Sequence, residues 1–153
     1  MSISERLESL GLTLPEPPKA VAAYIPALVS GTLCYTSGQL PFKDGKLVAE
    51  GQVGATVEPA AAYEAAQQAA LNAISVAAQA AGGLERLKRV VKVVGFVQSH
   101  PDFHGQPQVI NGASELLEKV FGDNGRHARS AVGTNALPLN AAVEVEIIFE
   151  VDA

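Results

Sequence analysis

Arg129 is the side chain in this 153-residue chain whose setting best suits chemistry. It follows Gly125-Arg126-His127-Ala128 and opens the run Ser130-Ala131-Val132-Gly133, which reads as a strand. A guanidinium stays charged at any working pH and offers a planar fork that grips a carboxylate through two hydrogen bonds. In extended backbone Arg129, Ala131 and Gly133 share a face, so two small residues leave space beside the fork. An arginine in such a strand can equally be half of a solvated surface ion pair. The local residues alone leave both readings open.

Competing chemistries are poorly supplied. His100 and His104 stand four apart, but Pro101 works against a helix that would bring them together, and no cysteine or third ligand is near. No metal site is expected. Cys34 is the only cysteine, so neither a disulfide within one chain nor a thiolate zinc cluster can form. It lies mid-strand and reads as a small core residue. There is no glycine-rich phosphate loop and no nucleophile-elbow motif.

The elements that must position these residues follow from composition and pattern. Hydrophobic residues make up 48% and charged residues 18% of the chain, enough for one compact core. Sixteen acidic residues oppose eleven Lys and Arg for a net charge of −5, which disfavours binding to phosphate backbones. A small basic pocket for an anionic metabolite remains compatible with that balance. The N-terminus lacks a basic stretch followed by an apolar run, and Glu64, Gln67, Gln68, Asn72 and Gln79 interrupt the apolar segment at 60–81. A soluble cytoplasmic protein is expected.

Residues 3–11 predict a short helix closed by Gly11, with Glu16-Pro17-Pro18 ending any continuation. Strands are expected at 20–28 and 32–37 around a Ser30-Gly31 turn, with Pro26 demoting the first to an edge or bulge. Residues 39–56 read as a loop with a turn at Asp44-Gly45. The longest helix is expected over 57–81, ended by Gly82-Gly83. Glu64, Gln68, Asn72, Ser75 and Gln79 make one wet stripe along it, opposite Ala66, Ala70, Ala73 and Ala77. A valine-rich strand at 89–98, a helix marked by apolar residues from Val109 to Val120, and strands at 129–136 and 142–151 complete the order. In the last strand Val143, Val145, Ile147, Phe149 and Val151 alternate with Glu144, Glu146 and Glu150. The order predicts an α+β domain, one sheet with two helices on one face. Ile148 falls on the glutamate-bearing face, a hint that this open face meets other subunits.

Four separated motifs then occur in a telling order: Tyr24…Ser30-Gly31…Thr36-Ser37-Gly38-Gln39, Asn72…Ala80-Ala81-Gly82-Gly83-Leu84, Val91-Lys92-Val93…Phe96-Val97, and Ala128-Arg129-Ser130-Ala131-Val132…Leu137-Pro138…Val143-Glu144-Val145-Glu146. Together they resemble the reactive-intermediate deaminase family (RidA, also called YjgF-like), whose members also carry the name endoribonuclease L-PSP. The resemblance covers roughly residues 20–150, leaving 1–19 as an N-terminal helix and linker extension before a RidA-like domain at 20–153. It implies a chorismate-mutase-like fold with a mixed sheet, a homotrimer, and ligand sites in clefts between subunits. It also implies a 2-iminobutanoate/2-iminopropanoate deaminase-like hydrolase that turns enamines and imines such as 2-aminoacrylate into 2-keto acids and ammonia, without cofactor or metal.

Carried over position by position, the resemblance makes Arg129 the carboxylate holder and Glu144 the acid that orients water or relays a proton. Tyr24, Ser37 and Gly38 would line the pocket, glycine allowing close backbone approach. Asn111 would stand near the site from the second helix, although periodicity puts it on the polar face. Departures are also visible. Ala131 stands where the family often has cysteine, so no thiol nucleophile is available there. Asn140 replaces a common turn glycine, a position asparagine tolerates at positive φ. The N-terminal helix and the 39–56 and 122–127 loops are longer than the family core. A keto-acid or amino-acid sensor without turnover is the alternative use of the same cleft. Binding of nucleic acid fits poorly with the acidic balance and the lack of a basic, aromatic-lined patch.

Overall fold

The computed structural model describes residues 1–18 and 23–152. In chain order it contains α1 (Ile3–Ser9), β1 (Ala27–Ser30), β2 (Leu33–Thr36), β3 (Phe42–Lys43), β4 (Lys46–Leu47), α2 (Pro59–Ala81), β5 (Leu87–Gln98), α3 (Gln106–Phe121), β6 (Ala128–Thr134) and β7 (Val143–Val151). Five strands form a mixed sheet in the order β1-β2-β7-β5-β6. β5 and β6, joined through α3, pair in parallel, while the other neighbours are antiparallel. The fold is α+β, with the two long helices on one face as the sequence predicts.

The core sits between that face and the helices. Val143, Val145, Ile147 and Phe149 of β7 are buried there beside Val90, Val93 and Val97 of β5. Ala66, Ala70, Ala73 and Ala77 of α2 are fully buried, because methyl-sized side chains let the helix lie close to its neighbours. Gly112 carries the same logic between helices: a Cβ there would overlap the Tyr63 carbonyl of α2. Among the described residues, no helix covers the opposite face of the sheet. Leu28, Tyr35 and Ile148 form one row across β1, β2 and β7, with Leu28 and Tyr35 exposed.

Three expectations change. The stripe on α2 is wet only at its ends, where Glu64 and Gln79 are exposed; Gln68, Asn72 and Ser75 are buried. Gln68 donates to Asn72 Oδ1 (2.9 Å), Asn72 Nδ2 donates to the carbonyls of Leu40 and Phe42 (both 3.0 Å), and Ser75 Oγ donates to the Pro15 carbonyl (2.6 Å). The N-terminal segment and the 39–47 region cover the stripe, and helical periodicity cannot report what lies on top. That region is also more than loop, because β3 and β4 form a hairpin whose Asp44 (φ 52°) and Gly45 (φ 79°) both take positive φ. Finally, the first strand begins at Ala27, after Pro26, and its two-residue turn is Gly31-Thr32 instead of Ser30-Gly31. Part of the strand expected at 20–28 lies outside the described residues. The turn before β7 does place Asn140 at φ 62°, as its residue type allows.

Replacing Gly112 with alanine should cost about 2–3 kcal/mol in denaturant unfolding, since α2 and α3 must part to admit the methyl group. An unchanged midpoint would show that this glycine does not set their spacing.

Candidate functional site

Two groups of polar side chains stand out. The first lines a cleft of about 840 Å³ bounded by Pro15, Tyr24, Ser37, Gly38, Asn72 and Glu144, among others. Its geometry follows from how β2 ends. The Ser37 N–H donates to the Pro26 carbonyl (2.7 Å) and its hydroxyl donates to the Ile25 carbonyl (2.7 Å), tying the strand end to the segment that bears Tyr24. Gln39 then exchanges backbone hydrogen bonds with Val145 (2.8 and 3.0 Å), which lays Gly38 against β7. A Cβ on Gly38 would overlap the Glu144 carboxylate. Glycine is therefore what lets this acid lie across the strand end. Burial pushes the Glu144 carboxyl above the usual carboxylate range, and the nearby charge of Glu146 adds to the rise. Tyr24 is 66% exposed at the cleft, so it is a lining residue rather than part of the core.

The second group centres on Arg129, half-buried on β6 with its side chain turned toward α3. Its Nη1 donates to Asn111 Oδ1 (2.7 Å) and to Ser114 Oγ (3.2 Å). That nitrogen has two N–H groups, so both are engaged. The Nε–H and Nη2 edge is left as the fork that could take a carboxylate. The expected space along the strand is partly filled, because Ser99 and Gln106 side chains stand against Gly133.

One protomer does not bring the two groups together. Arg129 is in register with Val93, and Glu144 with Phe96, on a strand two places away in the sheet. Three residues along and two strands across separate their backbones by roughly 14 Å. Their side chains also leave opposite faces, Arg129 toward α3 and Glu144 away from the buried Val143 and Val145. Thus Tyr24, Ser37, Gly38 and Glu144 share a cleft, while Arg129 and Asn111 form a separate cluster. Asn72, Ser75 and Pro15 join the first group and Ser114 and His127 the second, none of them expected at the site from sequence. Ser114 falls three residues after Asn111 on one helix face, a spacing that could have flagged it. Among the described residues, no group of three His, Cys, Asp or Glu side chains is placed to hold a metal ion. No helix there is long and apolar enough to cross a membrane.

The fold has counterparts in known proteins. Residues 4–151 match the model of the family described as "YjgF/chorismate_mutase-like, putative endoribonuclease". The chain is 42% identical to Protein TCP17 of Trypanosoma cruzi over 98% of its own length and 94% of that protein. It superposes on the crystal structure of Atu1372, a protein of unknown function from Agrobacterium tumefaciens, with TM-score 0.91 and 47% identity, covering 99% of this chain and 94% of that one. A Shewanella oneidensis structure described as a "putative endoribonuclease" superposes with TM-score 0.94 and 36% identity, covering 99% and 100%. The chain belongs to the YjgF/RidA-like family.

The raised Glu144 carboxyl has a consequence for stability. A folded-state proton affinity above the unfolded one favours the fold at low pH. That advantage is lost as pH rises from the ordinary carboxylate range through the raised value. Glu144→Gln should therefore melt at a higher temperature than the parent at neutral pH, with the gap closing on acidification below the carboxylate range. Equal melting temperatures at every pH would contradict the burial argument.

Proposed function

We propose that the protein hydrolyses reactive enamine and imine metabolites of the 2-aminoacrylate type to 2-keto acids and ammonia. The observation that supports this best is the Arg129 guanidinium, whose Nη1 is held by Asn111 and Ser114 while its other edge stays free for a carboxylate. An imine derived from an amino acid carries such a carboxylate beside the reacting carbon. Water oriented by Glu144, next to the backbone of Ser37 and Gly38, adds to the carbon of the C=N bond. A proton passes to the nitrogen through the same carboxyl, and collapse of the carbinolamine expels ammonia and leaves the ketone. A carboxyl beside the reacting water can both accept and return that proton. Such imines hydrolyse readily in water, so positioning and electrostatics suffice without a strong nucleophile.

Because one protomer keeps the halves apart, this reading needs the β6 region of one subunit to face the cleft of the next. A closed homotrimer repeats that contact head to tail, and the apolar row on the open sheet face is the surface available to form it. The alternative is a sensor that binds a keto acid or amino acid without turnover. It is favoured by the name of one relative, "Putative regulator AldR" of Lactococcus lactis, 28% identical over 88% of this chain.

Ammonia release from a freshly generated imine separates the readings. We expect a rate enhancement by the parent protein that falls about 100-fold or more in Arg129→Ala, since losing the fork removes both affinity and orientation. Light scattering should give the mass of three chains. Binding of 2-oxobutyrate with no effect on the hydrolysis rate would decide for the sensor.

A further inference from the structure

The Arg129 cluster extends one step beyond Asn111 and Ser114. The His127 ring lies with Nδ1 2.6 Å from the Gly125 carbonyl oxygen and Nε2 2.9 Å from Ser114 Oγ. A carbonyl only accepts, so Nδ1 carries the ring proton and Nε2 of the neutral ring is an acceptor. The Ser114 hydroxyl proton is thereby drawn to the ring, which turns the oxygen lone pairs toward Arg129, whose Nη1 donates at 3.2 Å. Every bond in the series Arg129 to Ser114 to His127 to Gly125 runs in one sense, donor to acceptor. Its far end is fixed. Gly125 is buried and lies so close to α3 that a Cβ would overlap the Leu117 carbonyl. Asn111, Ser114, His127 and Arg129 are all half-buried, which limits competition from water.

We propose that Ser114 and His127 are positioning residues, and that their relay keeps the Nε–Nη2 edge of Arg129 turned outward for a substrate carboxylate. The inference rests on the function proposed above and assigns it two residues that do not touch the reacting atoms. Without the ring, the serine hydroxyl is free to rotate and its oxygen no longer presents a fixed acceptor. The arginine then recovers rotamer freedom that must be lost again on binding. A carboxylate contact made equally in the ground and transition states acts on KM and leaves kcat.

The test uses the full chain and five variants, Arg129→Ala among them as the reference loss. Ser114→Ala and His127→Phe should each raise KM for an amino-acid-derived imine about tenfold with kcat within about threefold, the size expected for one lost hydrogen bond to a charged group. The Kd for 2-oxobutyrate should weaken in parallel. Ser114→Thr keeps the hydroxyl, and His127→Gln can place an amide oxygen near the Nε2 position; both should recover most of the loss. A role confined to packing would lower the melting temperature without this split or rescue. Nitrogen-15 spectra of the imidazole should show the neutral-ring proton on Nδ1. The inference is overturned if His127→Phe leaves KM and Kd unchanged while Arg129→Ala raises both, if His127→Gln is as impaired as His127→Phe, or if the proton sits on Nε2. A parent protein that neither hydrolyses imines nor binds 2-oxobutyrate removes the proposed function and this inference together. Unaffected variants of an active parent remove the inference alone.

Discussion

Alanine along one side of α2 lets this helix approach β7 and α3 at the same time, and the rest of the molecule is arranged around that closeness. The methyl groups of Ala66, Ala70, Ala73 and Ala77 are fully buried, and Gly112 removes the one side chain that would hold the helices apart. Small residues alone supply little buried area per position, so a helix built this way gains stability only if its other side is covered too. Here that side carries Gln68, Asn72 and Ser75, and burying amides and hydroxyls costs free energy unless each finds a partner. Asn72 Oδ1 takes the Gln68 amide, and the carbonyls of Pro15, Leu40 and Phe42 take Asn72 and Ser75. The same hydrogen bonds fix the outer wall of the cleft. Packing requirement and site construction are one set of contacts.

α3 inherits its place from that contact and in turn fixes Arg129. A guanidinium on an edge strand would ordinarily sweep a wide volume. Two acceptors on one helix face, Asn111 and Ser114, commit a single nitrogen and so fix the plane of the group. The carboxylate-holding Arg129 and the acid Glu144 thus lie on opposite faces of the sheet. Within one protomer that separation keeps Glu144 out of reach of the Arg129 charge, leaving burial and Glu146 to raise its proton affinity. An internal ion pair would have neutralised both groups.

Much of this was legible in the sequence. The period-two pattern of β7 and the valines of β5 identify the central strands, because burial on one face or both is written directly into residue type. The α2 stripe misleads for a definite reason: periodicity separates polar from apolar but does not tell water from a covering backbone. The first strand is displaced because Pro26 has no N–H for a ladder, and pairing starts at the next residue. Each candidate site residue lies on or beside an element the sequence places, yet the grouping into two clusters depends on which face each strand turns to the helices. The Ser114–His127 contact was invisible for the same reason, since it joins α3 to the loop before β6.

The chemistry proposed for this site relies on where charges sit before the substrate arrives. Orientation supplied by a protein costs nothing at the moment of reaction only if it was fixed during folding. The chain meets that condition on both sides: Gly38 lets the Glu144 carboxylate lie against β2, and the α3 acceptors hold the guanidinium. What neither side contains is the opposing charge. A carboxylate-bearing imine, negative at one end and protonated at the other, is the kind of molecule that would satisfy both halves at once. In the assembly proposed above, that complementarity is what would draw the two surfaces together.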